Sequence, residues 1–231
     1  MNSIAASDSS LLVRFGDVVS PALHGRVMML FHALRRVDDP RIRNLHPGYA
    51  SLLIDFDPLR LGHQELSAVV EQLSDAPPPS PEALGREVTL PVCYDADFAP
   101  DLMQVAQHAG LSTEEAVRLH SSATYLVYFL GFAPGFAYLG GLPEPLHTPR
   151  LATPRQLVAA GSVAIAGSQT GIYPSASPGG WRLIGRTPFR MFDPQPSPPT
   201  RLEPGDRVRF LPIERARFEK LAGAVEAQLG R

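Results

Sequence analysis

Tyr128–Thr187 reads YFLGFAPGFAYLGGLPEPLHTPRLATPRQLVAAGSVAIAGSQTGIYPSASPGGWRLIGRT, and it holds ten of the 19 glycines and the single tryptophan of a 231-residue chain. Its glycines stand in pairs or beside proline, as in Ala133-Pro134-Gly135, Gly140-Gly141 and Pro178-Gly179-Gly180. Glycine tolerates positive φ and proline fixes φ near −65°, so this punctuation predicts short strands joined by shaped loops. Four arginines (Arg150, Arg155, Arg182, Arg186) face one acid, Glu144, within a chain of net charge −2. A cationic, glycine-lined surface suits an anionic ligand.

The runs GFAPGFAYLGGLPEPLHTPR, AGSVAIAGSQTGIYP and SPGGWRLIGRTP resemble the signature of the PxpB/KipI family, which is similar to allophanate hydrolase subunit 1. The resemblance extends from about Leu12 to about Pro212. It implies a cyclophilin-like β-barrel around the signature. The family contains a subunit of an ATP-dependent 5-oxoprolinase and an inhibitor of a sporulation histidine kinase.

Upstream, Leu11 to Phe15, Ile42 to His46 and Tyr49 to Phe56 read as strands. Helical spacing marks Leu23, Val27, Leu30 and Leu34, then Leu66, Val69, Val70 and Leu73. With Glu87 to Val92 as a last strand the order is β-α-β-β-α-β, which predicts a small ferredoxin-like α+β layer. Pro77, Pro78, Pro79 and Pro81 disfavour helix and central strand, so a linker is expected over 76–85. The expected division is thus an α+β domain over 1–75, a mainly β barrel over 86–212 and a C-terminal helix over 213–231. Beyond the linker, a short helix from Asp101 closes at Gly110, and Ser112 with Glu115 forms a capping box for a helix running to His120. Tyr125 to Leu130 reads as a buried strand, and Phe189 to Phe192 and Arg207 to Leu211 as two further strands. The last helix carries Phe218, Leu221, Ala222, Val225 and Leu229 on one face, able to pack on its own domain or on a partner.

Composition removes several functions. Lys220 is the only lysine, so there is no Walker A motif, and the net charge gives no broad basic face for nucleic acid. No GxSxG, HExxH, CxxC or GxGxxG is present, and the seven histidines show no metal-ligand spacing, so no metal site is expected. No apolar run of about 18 residues and no signal peptide is visible, which predicts a cytoplasmic protein without membrane attachment. Cys93 reads as a buried thiol.

The candidate site residues lie in and beside the signature. His120 is either a helix C-terminal cap or an acid–base group facing the barrel mouth. Arg150 and Arg155 flank Thr153-Pro154 and can hold a carboxylate or phosphate through bidentate forks, unless they are solvated loop charges. Gln169 and Thr170 can present an amide and a hydroxyl to a ligand, or satisfy turn carbonyls. Phe132, Phe136, Tyr138 and Trp181 wall a pocket or fill a core. The expected catalytic set is His120, Arg150 and Gln169. Phe132, Phe136, Arg155, Thr170, Trp181 and Arg186 are the expected substrate contacts.

The resemblance implies the PxpB component of a 5-oxoprolinase that converts 5-oxo-L-proline to L-glutamate with PxpC-like and PxpA-like subunits. ATP, with Mg²⁺ beside it, would sit at a site shared with the PxpC-like subunit. The alternatives are a KipI-like inhibitor of a histidine kinase and a subunit of an allophanate hydrolase or urea carboxylase system; prolyl isomerisation has only the barrel fold in its favour.

Overall fold

The computed structural model describes residues 1–74, 85–195 and 197–229. The chain divides into two compact units, Met1–Gly85 and Arg86–Arg231. The proline-rich linker expected over 76–85 lies, apart from Gly85, outside the described residues.

In the first unit, β1 (Asn2–Ser7), β2 (Ser10–Arg14), β3 (Ile42–Pro47) and β4 (Ser51–Phe56) form an antiparallel sheet in the order β1-β2-β4-β3. Helices α1 (Pro21–Val37) and α2 (His63–Ser74) complete the layer. Alternation on β4 buries Leu52, Ile54 and Phe56, which pack with Val27, Leu30 and Leu34 of α1 and with Leu66 and Val70 of α2. Ser20 caps α1 through the Leu23 N–H, and Asp38 ends it in the left-handed conformation at φ 49°. The expected β-α-β-β-α-β order is not met. The place beside β2 is taken by Asn2–Ser7, whose polar, mostly exposed residues carry no strand signal and are held by backbone pairing to β2.

The strand Glu87–Val92, expected to end the first layer, belongs to the second unit as β5. It pairs in parallel with β13 (Arg207–Pro212), and its Leu90 and Val92 sink into the second core. With β6 (Tyr125–Leu130), β7 (Ala137–Gly140), β9 (Ser162–Ala166), β10 (Gln169–Ile172) and β12 (Arg182–Arg186) they make a seven-stranded sheet, ordered β12-β9-β10-β7-β6-β13-β5. The two edges approach each other where Cys93, just past β5, exchanges both backbone hydrogen bonds with Arg186 of β12, at 2.8 and 2.9 Å. The sheet is therefore a nearly closed barrel, and an exposed edge is largely avoided.

Helices α3 (Leu102–Ala109) and α4 (Thr113–Ser122) contribute Leu102, Val105, Ala106 and Ala116 to its core. Gly110 closes α3 at φ 68°, and the Ser112–Glu115 capping box opens α4. A two-stranded ribbon, β8 (Arg155–Val158) with β11 (Ser177–Gly179), lies apart from the large sheet. The segment from Phe189 to Phe192 forms no strand; only an isolated bridge joins Phe192 to Thr200. The following Pro194, Pro198 and Pro199 lack the N–H groups that would extend such pairing.

The last helix, α5 (Arg215–Leu229), is held by its own unit. Arg215 pairs with Asp97, and the rings of Phe218 and Phe98 lie 4.5 Å apart. Among the described residues no helix is long and apolar enough to cross a membrane.

Candidate functional site

The signature strands are buried on both faces, and alternation sorts their residues into two clusters. Val163 and Ile165 of β9 and Ile184 of β12 face the main core. Ala164 and Ala166 of β9 and Leu183 of β12 join Phe136, Val158, Tyr173 and Trp181 in a second cluster on the other side. The alanines leave room for the large rings. On β10 the same alternation separates Thr170, fully buried, from Gly171, whose absent Cβ would lie 3.0 Å from the Trp181 ring and 3.1 Å from the Phe136 ring. Gln169 shares the strand face of Gly171.

Three signature loops are fastened around this second cluster. The Gly167 N–H donates to Thr148 O at 2.8 Å, the Leu151 N–H to Gly180 O at 2.8 Å, and Arg182 Nε to Pro149 O at 3.2 Å. Phe136 lies edge-on to Tyr173 at 5.3 Å and to Trp181 at 5.4 Å, and Tyr138 to Trp181 at 5.9 Å. The Arg150 guanidinium stands 5.8 Å from the Trp181 ring centroid. Phe132 contacts Phe136 at 5.4 Å, yet it is 65% exposed and holds φ at 68°, a strained conformation for a residue with a bulky side chain. Such strain clusters at functional sites, which makes Phe132 a candidate for one.

Tyr173 belongs to this face, although its place in the sequence carries no catalytic motif. Gly179 is glycine because a Cβ there would meet the Tyr173 hydroxyl at 2.3 Å. Burial pushes the phenol upward, while the Trp181 backbone N–H and the charges of Arg150 and Arg155 pull the other way, so Tyr173 is a neutral phenol at neutral pH. Phe132, Phe136, Arg150 and Trp181 of the expected set are thus brought together.

Arg155 is committed elsewhere. Its Nη2 donates to Asp101 Oδ1 at 2.7 Å, and Asp101, 2% exposed, also accepts the Leu183 N–H at 2.7 Å. This pair ties β8 to β12 and to the start of α3, so the carboxylate that the Arg155 guanidinium holds is the chain's own Asp101, and the expected substrate contact is corrected accordingly. Its Nη1 is buried with no hydrogen-bond partner among the described residues.

His120 does not reach a barrel mouth. It is 1% exposed, stacked on Phe210 at 4.7 Å, and burial lowers it to about 3. The Thr170 hydroxyl gives its proton to Ala164 O at 2.9 Å, so it accepts from His120 Nε2 at 3.2 Å. The bare Nδ1 accepts the Tyr94 hydroxyl at 2.8 Å. A neutral imidazole with both nitrogens engaged moves no proton near pH 7. His120 and Thr170 are corrected from site residues to parts of an interior polar chain. Arg186 stands by α5, with its Nε donating to Ala160 O at 2.9 Å and its guanidinium 5.8 and 6.0 Å from the Phe98 and Phe218 rings.

Residues 1–202 match the family model described as "Carboxyltransferase domain, subdomain C and D". The chain belongs to this family. It is 44% identical over 206 residues to the 5-oxoprolinase B subunit of Escherichia coli O157:H7, covering 89% of this chain and 93% of that one. It is 39% identical over 217 residues to the 5-oxoprolinase B subunit of Bacillus subtilis strain 168, covering 89% and 90%. The resemblance read from the three signature runs is met by these relatives.

Among solved structures, TTHA0988 superposes with a TM-score of 0.80 at 40% identity over 89% of this chain. The present chain spans only 40% of the length of TTHA0988. The urea carboxylase of Kluyveromyces lactis, at 22% identity and a TM-score of 0.69 over 94% of this chain and 22% of its own, shares the fold.

Proposed function

We propose that this chain is the B subunit of an ATP-dependent 5-oxoprolinase, converting 5-oxo-L-proline to L-glutamate with PxpC-like and PxpA-like partner subunits in the cytoplasm. The observation that carries the reading is the match, at 39% and 44% identity over nearly the whole of each chain, with proteins named as B subunits of 5-oxoprolinase. What supports a site in this reading is the cationic aromatic face formed by Arg150 beside Trp181, with Phe132 exposed at a strained φ, which suits a small cyclic acid.

A lactam amide is a poor electrophile, and phosphorylation of its oxygen makes a group that water can displace. This chain's part is to hold the anionic substrate and exclude water. Its own residues fit the nucleotide only in part. Arginines are present, but among the described residues no cluster of three or more His, Cys, Asp or Glu could hold a metal ion. In this reading ATP and its Mg²⁺ sit at a site completed by the PxpC-like subunit. That solved relatives carry this fold within much longer chains supports a partner completing the site.

The test is reconstitution. The purified chain with ATP and 5-oxoproline is expected to form no glutamate, and adding PxpC-like and PxpA-like proteins is expected to restore turnover. Turnover by the chain alone at the reconstituted rate would contradict the shared site; a stable complex without turnover on 5-oxoproline would contradict the substrate.

A further inference from the structure

We propose that the cleft between α5 and the segment following β12, where Arg186 and Arg190 line a hollow of mixed polar and apolar surface that includes Gly161, is a second binding site, for a small organic acid with a flat apolar body. It stands independently of the oxoprolinase reading, and its lining shares no residue with the cluster around Trp181. The cleft encloses about 580 Å³, within the range of roughly 300 to 1,000 Å³ of small-molecule sites.

Its floor depends on a glycine. Gly161 holds φ at 80°, and a Cβ there would lie 2.4 Å from Thr187 O. The Gly161 N–H donates to Tyr173 O at 2.7 Å, and the Thr187 N–H donates back to Gly161 O at 2.9 Å, so the floor is rigid. The aromatic lining residues include Phe189 and Phe218, and Ala222 of α5 lines the cleft with a small side chain.

Charge selects the ligand. No carboxylate lines the cleft among the described residues, whereas Arg186 and Arg190 do. Neither has an ion-pair partner among the described residues; the nearby acids Asp97 and Glu219 are both taken by Arg215. Arg186 is oriented beforehand by the Ala160 carbonyl and by two flanking phenyl rings, which lowers the ordering cost of gripping a carboxylate. Arg201, 4.5 Å from the Phe189 ring centroid and bonded through Nε to Arg190 O, adds positive charge behind the aromatic wall. Guanidinium groups for the carboxylate and phenyl rings for the body together describe an aryl or cyclic carboxylic acid.

The experiment titrates the full chain with benzoate, acetate and benzamide at millimolar concentrations, followed by calorimetry and NMR. Benzoate is expected to bind saturably and at least tenfold more tightly than acetate, which lacks the ring, or benzamide, which lacks the charge. Arg190→Gln, at an exposed position, and Ala222→Phe, which fills the hollow, should each weaken benzoate at least tenfold while the melting temperature holds. Absence of saturable benzoate binding, equal affinity for benzamide, or unchanged affinity in both variants would overturn the proposal.

Discussion

Strand β10 separates two polar environments one residue apart, and they behave in opposite ways. Inside the barrel, Tyr94, His120, Thr170 and the Ala164 carbonyl form a closed hydrogen-bonded chain, buried and stacked against Phe210. Outside, around Trp181, Arg150 lies over an aromatic face, and Phe132 is exposed on strained backbone. A satisfied buried network adds specificity and stability, whereas the surface charge of Arg150 is met by solvent and the positive φ of Phe132 is backbone strain of the kind that clusters at functional sites. The contrast teaches that polar residue type alone does not mark a site; the direction in which a strand points it does.

The interior chain gives the largest expected effect on stability. His120→Leu leaves the Tyr94 hydroxyl without its acceptor and the Thr170 oxygen without its donor, and should cost the second unit about 3 kcal/mol in urea unfolding. A loss below about 0.5 kcal/mol would break the contrast. Asp101→Asn comes next, at about 2 kcal/mol. It removes the charge facing Arg155, whose side chain is 29% exposed and so partly solvated. The double variant Asp101→Asn/Arg155→Gln should lose less than the sum of the two single changes, measured as a double-mutant cycle.

Titration is the third handle. The unfolded His120 takes up a proton below about pH 6.5, while the folded one stays neutral down to about 3. The unfolded state then binds more protons across that window. Stability from this residue is complete above pH 6.5 and falls by up to about 1.4 kcal/mol for each unit below it. His120→Asn should flatten that slope. An unchanged slope in urea titrations between pH 6.5 and 4.5 would show that the imidazole is not held neutral.

Much of the fold was legible because periodicity and capping are local. The Ser112–Glu115 box, the Gly110 stop and the apolar stripes of α1 and α2 all form as their spacing predicts. Two strands were misjudged for a non-local reason. Glu87–Val92 has the pattern of a buried strand, but only its partner β13, some 120 residues later, decides which sheet it joins, and Asn2–Ser7 pairs through backbone without any apolar pattern.

The site was legible in outline only. Phe132, Phe136, Arg150 and Trp181 converge because the glycine-rich loops carry them. His120 and Thr170 were misplaced because a residue number does not tell which face of a barrel strand is occupied, and Asp101 was missed because its partner Arg155 comes 54 positions later.

The smallest expected effect on stability falls at Arg150, which has no carboxylate partner among the described residues and rests over Trp181. The decisive measurement is therefore ATP-dependent conversion of 5-oxoproline to glutamate by Arg150→Ala chain, reconstituted with its partner subunits and compared with the unsubstituted chain. The account predicts a normal complex, an unchanged unfolding midpoint and activity lower by about tenfold or more, equivalent to roughly 1.4 kcal/mol of transition-state stabilisation. An Arg150→Ala complex that assembles normally and keeps full activity and substrate affinity would contradict it.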